Sequence, residues 1–212
     1  MRKPIIQLPI LLTALLGAAM TFFFVKESQK KRELRLVIPR FDMLRSPDIN
    51  DRLAKVNLPS LRTVLLPDGD FEVRVWIVSL NGKDCLILRY YSGQWSAIHL
   101  QGMAEAPPFP NSLTPLSSPK SGWKKAWQRF IDAGILTLPD AAQVKCNPGV
   151  IDGISYVVES NINMTYRAYS YSNPWYEAPW YKRCNEAKQM ILIGKIIREE
   201  FGLELFDLSN VQ

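Results

Sequence analysis

Apolar positions along this chain fall into three regimes. From Ile5 to Val25 they are nearly continuous: 21 residues without a charge, with Gln7, Thr13 and Thr21 the clearly polar members. A helix of that length spans about 32 Å, against a bilayer hydrocarbon core of about 30 Å, and a soluble helix is not apolar on every face. The pattern predicts a transmembrane or signal helix. An uncleaved anchor is favoured over a signal peptide cleaved after Gly17-Ala18-Ala19, because Phe22, Phe23, Phe24 and Val25 would then begin the mature chain. Residues 1–32 are therefore read as a membrane segment with a basic flank, and 33–212 as a single globular α+β domain.

The second regime has the period of strands. Leu34, Leu36 and Ile38 alternate into a short strand, and Ser46-Pro47 has the form of a helix start running to about Lys55. Phe71–Leu80 is rich in β-branched and aromatic residues and is followed by Asn81-Gly82, a strong hairpin signal. Cys85–Tyr91 returns, Ser92-Gly93 turns again, and Trp95–Leu100 completes a three-stranded meander. Five prolines between residues 104 and 121 predict a long loop inside the domain. Ile154–Ser160 and Met164–Ser172 read as a hairpin closed by Asn161-Ile162-Asn163.

The third regime has helical period. Trp123, Trp127, Phe130 and Ile131 share one face, with Gly134 at the helix end. A second helix is expected from about Trp180 to Phe201. The economical arrangement is an antiparallel sheet, meander plus hairpin, with both helices on one face.

Composition narrows the chemistry. The chain is 47% hydrophobic and 22% charged, ordinary for a globular protein. Its basic excess, +6 overall, sits mostly beside the apolar segment, from Lys26 to Arg40. That placement suits anionic lipid headgroups; no basic stripe interleaved with aromatics follows it, so nucleic acid is not an expected partner. The single histidine, His99, excludes a two-histidine HExxH site. No Gly-x-Ser-x-Gly elbow, GxGxxG or Walker A loop is present, and no cofactor or metal is expected. Asp68, Asp70 and Glu72 alternate as calcium ligands can, but a solvated Pro-Asp-Gly turn accounts for them better.

Four groups of residues remain as candidates. Trp175, Tyr176, Trp180 and Tyr181, with Tyr169 and Tyr171, make an aromatic-rich stretch suited to a protein or glycan partner in the cell envelope. Cys146 and Cys184 are the expected disulfide if the domain is extracytoplasmic, leaving Cys85 as a buried thiol. Asp152, Glu159 and Arg167 form a candidate polar cluster, with Glu159 and Arg167 expected on one face of the hairpin as an ion pair. His99 is expected as a half-buried sheet residue. The reading is a membrane-tethered, extracytoplasmic interaction or scaffolding domain. The alternatives are an atypical hydrolase or transferase using His99 or Asp152 and Glu159, and an immunity or inhibitor protein.

Overall fold

The computed structural model describes residues 34–38, 53–79, 82–101, 112–144, 154–174 and 184–203. The chain divides into two units, Met1–Glu33 and Leu34–Gln212. The apolar segment Ile5–Val25 lies outside the described residues. Among the described residues no helix is long and apolar enough to cross a membrane.

The second unit is α+β, built on a seven-stranded, mostly antiparallel sheet in the order β1-β7-β6-β2-β3-β4-β5. The strands are β1 (Arg35–Val37), β2 (Phe71–Ser79), β3 (Gly82–Tyr91), β4 (Gln94–Gln101), β5 (Ser112–Pro115), β6 (Ser155–Ile162) and β7 (Thr165–Ser172). Only β1 pairs in parallel, against β7. The helices are α1 (Trp123–Asp132) and α2 (Asn185–Phe201). The meander and the hairpin thus join into one sheet through β2 and β6. The proline-rich stretch, expected to be loop throughout, contributes β5 as an edge strand paired to β4; Pro115 is tolerated at its end because an edge strand can lack an N–H there, and Leu116 N–H still donates to the Ala97 carbonyl of β4 at 2.9 Å.

Side chains alternate across the pleat. On one face, Val73, Val75 and Ile77 of β2 join Leu86, Leu88, Tyr156, Val158, Tyr169 and Tyr171 and pack against Phe130 of α1 and Met190, Ile193 and Ile197 of α2. Ile131, expected on the buried side of α1, is instead exposed, while Ala126 and Phe130 are buried. The opposite face is covered by residues 53–66, which are helical at 53–55 and contain no strand. Leu53 and Leu58 from this strap pack on Trp76, Cys85, Ile87 and Val157. Leu61 packs on Tyr166 and Ala168.

The β6–β7 turn is one residue shorter than the sequence suggested. Ile162 pairs with Thr165, so Asn163-Met164 alone closes the hairpin, with φ of 48° and 58°. Positive φ at both central residues is the turn whose twist matches that of the strands. Moving the turn by one residue changes the face on which every paired side chain falls. It opposes Glu159 to Ala168 and Ser160 to Arg167. Methionine has no local compensation for a left-handed backbone. Met164→Gly is therefore expected to stabilise the domain by about 0.5–1 kcal/mol, read as a higher urea midpoint at unchanged m-value; a lower midpoint would contradict the turn assignment.

Candidate interaction site

Where β2, β3 and β4 lie side by side, their register aligns three aromatic residues: Phe71 opposite Tyr90, and Tyr90 opposite Trp95. The Ser92-Gly93 turn sets this alignment, because Tyr91 pairs with Gln94 across it. Helix α1 then lays Trp123 and Trp127, one turn apart, over the row. Trp95 and Trp123 stack with ring centroids 5.4 Å apart, and Phe71 and Trp127 stack at 5.0 Å. Phe201, at the end of α2, completes the group beside Trp123. All six rings are partly exposed. Lys124 and Lys125 are exposed on α1 beside them.

A carboxylate holds the two helices in register around this cluster. Glu200 accepts hydrogen bonds from the Ser121 main-chain N–H at 2.8 Å and the Ser121 hydroxyl at 2.9 Å, and pairs with Arg129, which also reaches Glu199. Burial opposes its ionisation, but the Ser121 donors and Arg129 outweigh that and hold it below the usual carboxylate range.

On the opposite face lies a buried charged network. Glu72, 1% exposed, accepts from Arg74 Nε at 2.5 Å, from Arg89 Nε at 2.7 Å and from the Tyr91 hydroxyl. Glu159 accepts from Trp76 Nε1 at 2.9 Å and from the Tyr166 hydroxyl at 3.1 Å, and Arg74 lies 3.6 Å from it. Arg62 of the strap donates to the Tyr166 hydroxyl. Desolvation works against charged Glu72, yet Arg74 and Arg89 with the Tyr91 hydroxyl pull its titration below 4.5. Tyr91 and Tyr166 are pushed up, first by burial and then by their carboxylate neighbours.

These shifts set an acid dependence. A carboxyl with a depressed folded pKa contributes stability that is full above its ordinary value of 4.5 and is lost as pH falls through the folded value. His99, half-buried on β4, is held below 6.5 by burial, with Asp84 opposing. It therefore stays neutral in the fold where the unfolded chain binds a proton, and stability begins to decline below about pH 6.5. Urea midpoints are expected to fall gently from pH 7.5 to 5 and steeply below 4.5, and His99→Gln should flatten the first limb only. An unchanged first limb in that variant would exclude His99 as its source.

Several sequence candidates are placed differently. Tyr169 and Tyr171 are 2% and 0% exposed, and their hydroxyls donate to the main-chain carbonyls of Ile135 and Pro139. They belong to the core and offer no binding surface. Trp175, Tyr176, Trp180 and Tyr181 lie outside the described residues, as do Asp152 and Cys146. Glu159 and Arg167 sit on opposite faces of the sheet, so the expected ion pair is not formed; Arg167 donates instead to the carbonyls of Leu136 and Leu138. Cys184, expected within the first turn of the last helix, is its buried N-cap residue. Cys85 is a buried free thiol whose titration burial pushes well up. Glu72, read as part of a solvated acidic turn, is a central member of the buried network; Asp68 and Gly69 do remain exposed. Among the described residues no cluster of potential metal ligands occurs.

The fold and these two clusters define an α+β domain with a strap-covered sheet and a part-exposed aromatic group. The chain matches no protein-family model and no curated protein.

Proposed function

We propose that this chain is a membrane-tethered, extracytoplasmic interaction domain that engages an envelope protein or glycan through the aromatic cluster of Phe71, Tyr90, Trp95, Trp123, Trp127 and Phe201. The observation that carries the reading is that cluster. Six rings on three strands and two helices stay partly open to solvent at the rim of the core, against which Phe71, Trp123, Trp127 and Phe201 pack. Large amphipathic rings fixed by strands and helices bind partners at low entropic cost. The membrane part rests on the apolar run Ile5–Val25 and its basic flanks. An extracytoplasmic site goes with a Cys146–Cys184 bridge, which is supported by burial of Cys184, by its being engaged rather than free, and by Cys85 being, among the described residues, a free thiol. A hydrolase or transferase working through Glu159 has less support, because both its oxygens are hydrogen-bonded and the residue is buried.

The test is a photo-crosslinking amino acid placed at Trp123 in intact cells, with the exposed Leu192 as the control position. Discrete adducts from position 123 that Trp95→Ala abolishes are expected. Equal adducts at both positions, or none at position 123, would refute the assignment. A membrane-impermeant thiol reagent, applied with and without reduction, tests the side of the membrane independently: two cysteines protected until reduction are expected.

A further inference from the structure

We propose that the free edge of the sheet at β1 is a second membrane contact, lying in the headgroup layer of an anionic bilayer. The inference rests on the reading of Ile5–Val25 as a membrane segment. Strand β1 is tied into the domain on its inner side. The Arg35 N–H donates to the Met164 carbonyl at 2.9 Å, Leu36 pairs with Tyr166, and Leu34 packs on Leu61, Tyr166 and Ala168. The residues that follow have little cover: Leu36, Val37 and Ile38 are 50%, 38% and 42% exposed, three consecutive apolar side chains at one edge. Leu65 of the strap, 54% exposed, lies nearby. It follows Val64, whose carbonyl accepts from Asn161, and Asn161 pairs with Tyr166. These four are more than half of the large apolar side chains exposed among the described residues. An apolar edge of this kind invites aggregation unless something covers it.

Charge and chain length identify the cover. From Lys26 to Arg40 the sequence carries six Lys or Arg against Glu27 and Glu33, and the exposed edge residues fall inside that run. An apolar patch set among basic residues is held at an anionic lipid surface by both terms at once. Leu36 is eleven positions after Val25, a chain of at most about 40 Å when fully extended, so the patch is kept within reach of the bilayer. Headgroups and their water also satisfy the outward main-chain groups of the edge, which hydrocarbon would not. An added strand from another polypeptide fits less well. Only three residues of β1 pair with β7, and Pro39 lacks the N–H that a further rung would use. Edge-on contact leaves the aromatic cluster to its own partner. Its first ring is on β2, three strands in from β1, or about 14 Å at the usual spacing.

The test places a nitroxide on Val37→Cys in the full chain reconstituted in lipid vesicles, with Leu192→Cys as the exposed control. Relaxation by oxygen, which concentrates in lipid, is compared with relaxation by an aqueous nickel chelate. In phosphatidylcholine vesicles containing phosphatidylglycerol, the oxygen-to-nickel ratio at position 37 is expected to exceed that at position 192 about threefold. In phosphatidylcholine alone it should fall to the position-192 level. Equal ratios at the two positions in the anionic vesicles would overturn the proposal, and a position-37 ratio that ignores lipid charge would overturn the anionic-lipid assignment. Dipolar broadening at position 37 would mean that two copies pair through β1, and would overturn it as well. Should the labelled variant not fold, hydrogen exchange on the unaltered chain decides. Slower exchange of the 35–38 amides in anionic than in neutral vesicles supports the contact, and equal exchange overturns it. Flotation separates this inference from the reading beneath it. A chain that floats with the vesicles but keeps position 37 in water overturns the edge contact alone, whereas a chain that the vesicles do not retain overturns the membrane tether with it.

Discussion

Arg74→Met is expected to destabilise the domain by about 3–5 kcal/mol, the usual cost of removing one member of a buried ionic group. Arg74 is 1% exposed, contacts Glu72 at 2.5 Å and faces Glu159 at 3.6 Å. Without it, Glu72 keeps Arg89 and Tyr91, but among the described residues Glu159 keeps only the neutral donors Trp76 and Tyr166. The loss therefore comes from an uncompensated carboxylate rather than from missing attraction. Combining Arg74→Met with Glu159→Gln should recover much of it, since no unpaired charge is then left at that point. Urea unfolding of the three chains, at constant m-value, measures both effects. A single-variant loss below about 1 kcal/mol would mean that the network is hydrated, and a double variant no better than the single one would locate the penalty elsewhere.

Phe130→Ala is expected to cost about 3–5 kcal/mol, whereas its neighbour Ile131→Ala should change stability by no more than about 0.5 kcal/mol. Phe130 is 0% exposed between α2 and the sheet, and removing its ring leaves a cavity that this packed layer cannot close. Ile131 is 36% exposed, and alanine has the better helix propensity. The contrast reads the rotation of α1 directly. Comparable losses at both positions would mean that the helix presents a different face to the sheet, and would displace Trp123 and Trp127 from the aromatic row as well.

Much of the local structure is legible in the sequence. The Ser92-Gly93 turn, the alternation of β2 to β4, and the glycines beyond α1 and α2 are short-range signals, and each corresponds to an element. Their register also aligned Phe71, Tyr90 and Trp95, and a four-residue spacing aligned Trp123 with Trp127. The aromatic cluster was thus within reach of sequence reasoning. The density of tyrosine and tryptophan after Tyr166 is the more conspicuous signal in the sequence. Aromatic density is a poor guide there, because a tyrosine with a hydroxyl partner is an ordinary core residue, as Tyr169 and Tyr171 are. The hairpin illustrates a different limit. Asn163-Met164 carries no glycine, so nothing local distinguished a two-residue turn from a three-residue one. That single residue decided which face Arg167 occupies.

By itself the sequence determined the α+β class, the strand and helix periods, the apolar run at the N-terminus and the absence of the common catalytic motifs. Those properties follow from periodicity, turn chemistry and residue identity, all of which act over a few residues. Only the tertiary structure decided that β6 sits beside β2 and that an irregular strap covers the face carrying Glu72, Arg74 and Glu159. A strand written Phe-Glu-Val-Arg-Val-Trp reads locally as half in water. Whether its charged face meets solvent or another part of the chain depends on residues more than ten positions away. Packing of Leu53, Leu58 and Leu61 removes the water there, and with it the solvation those charges would otherwise have, so Glu72, Arg74 and Glu159 must satisfy one another.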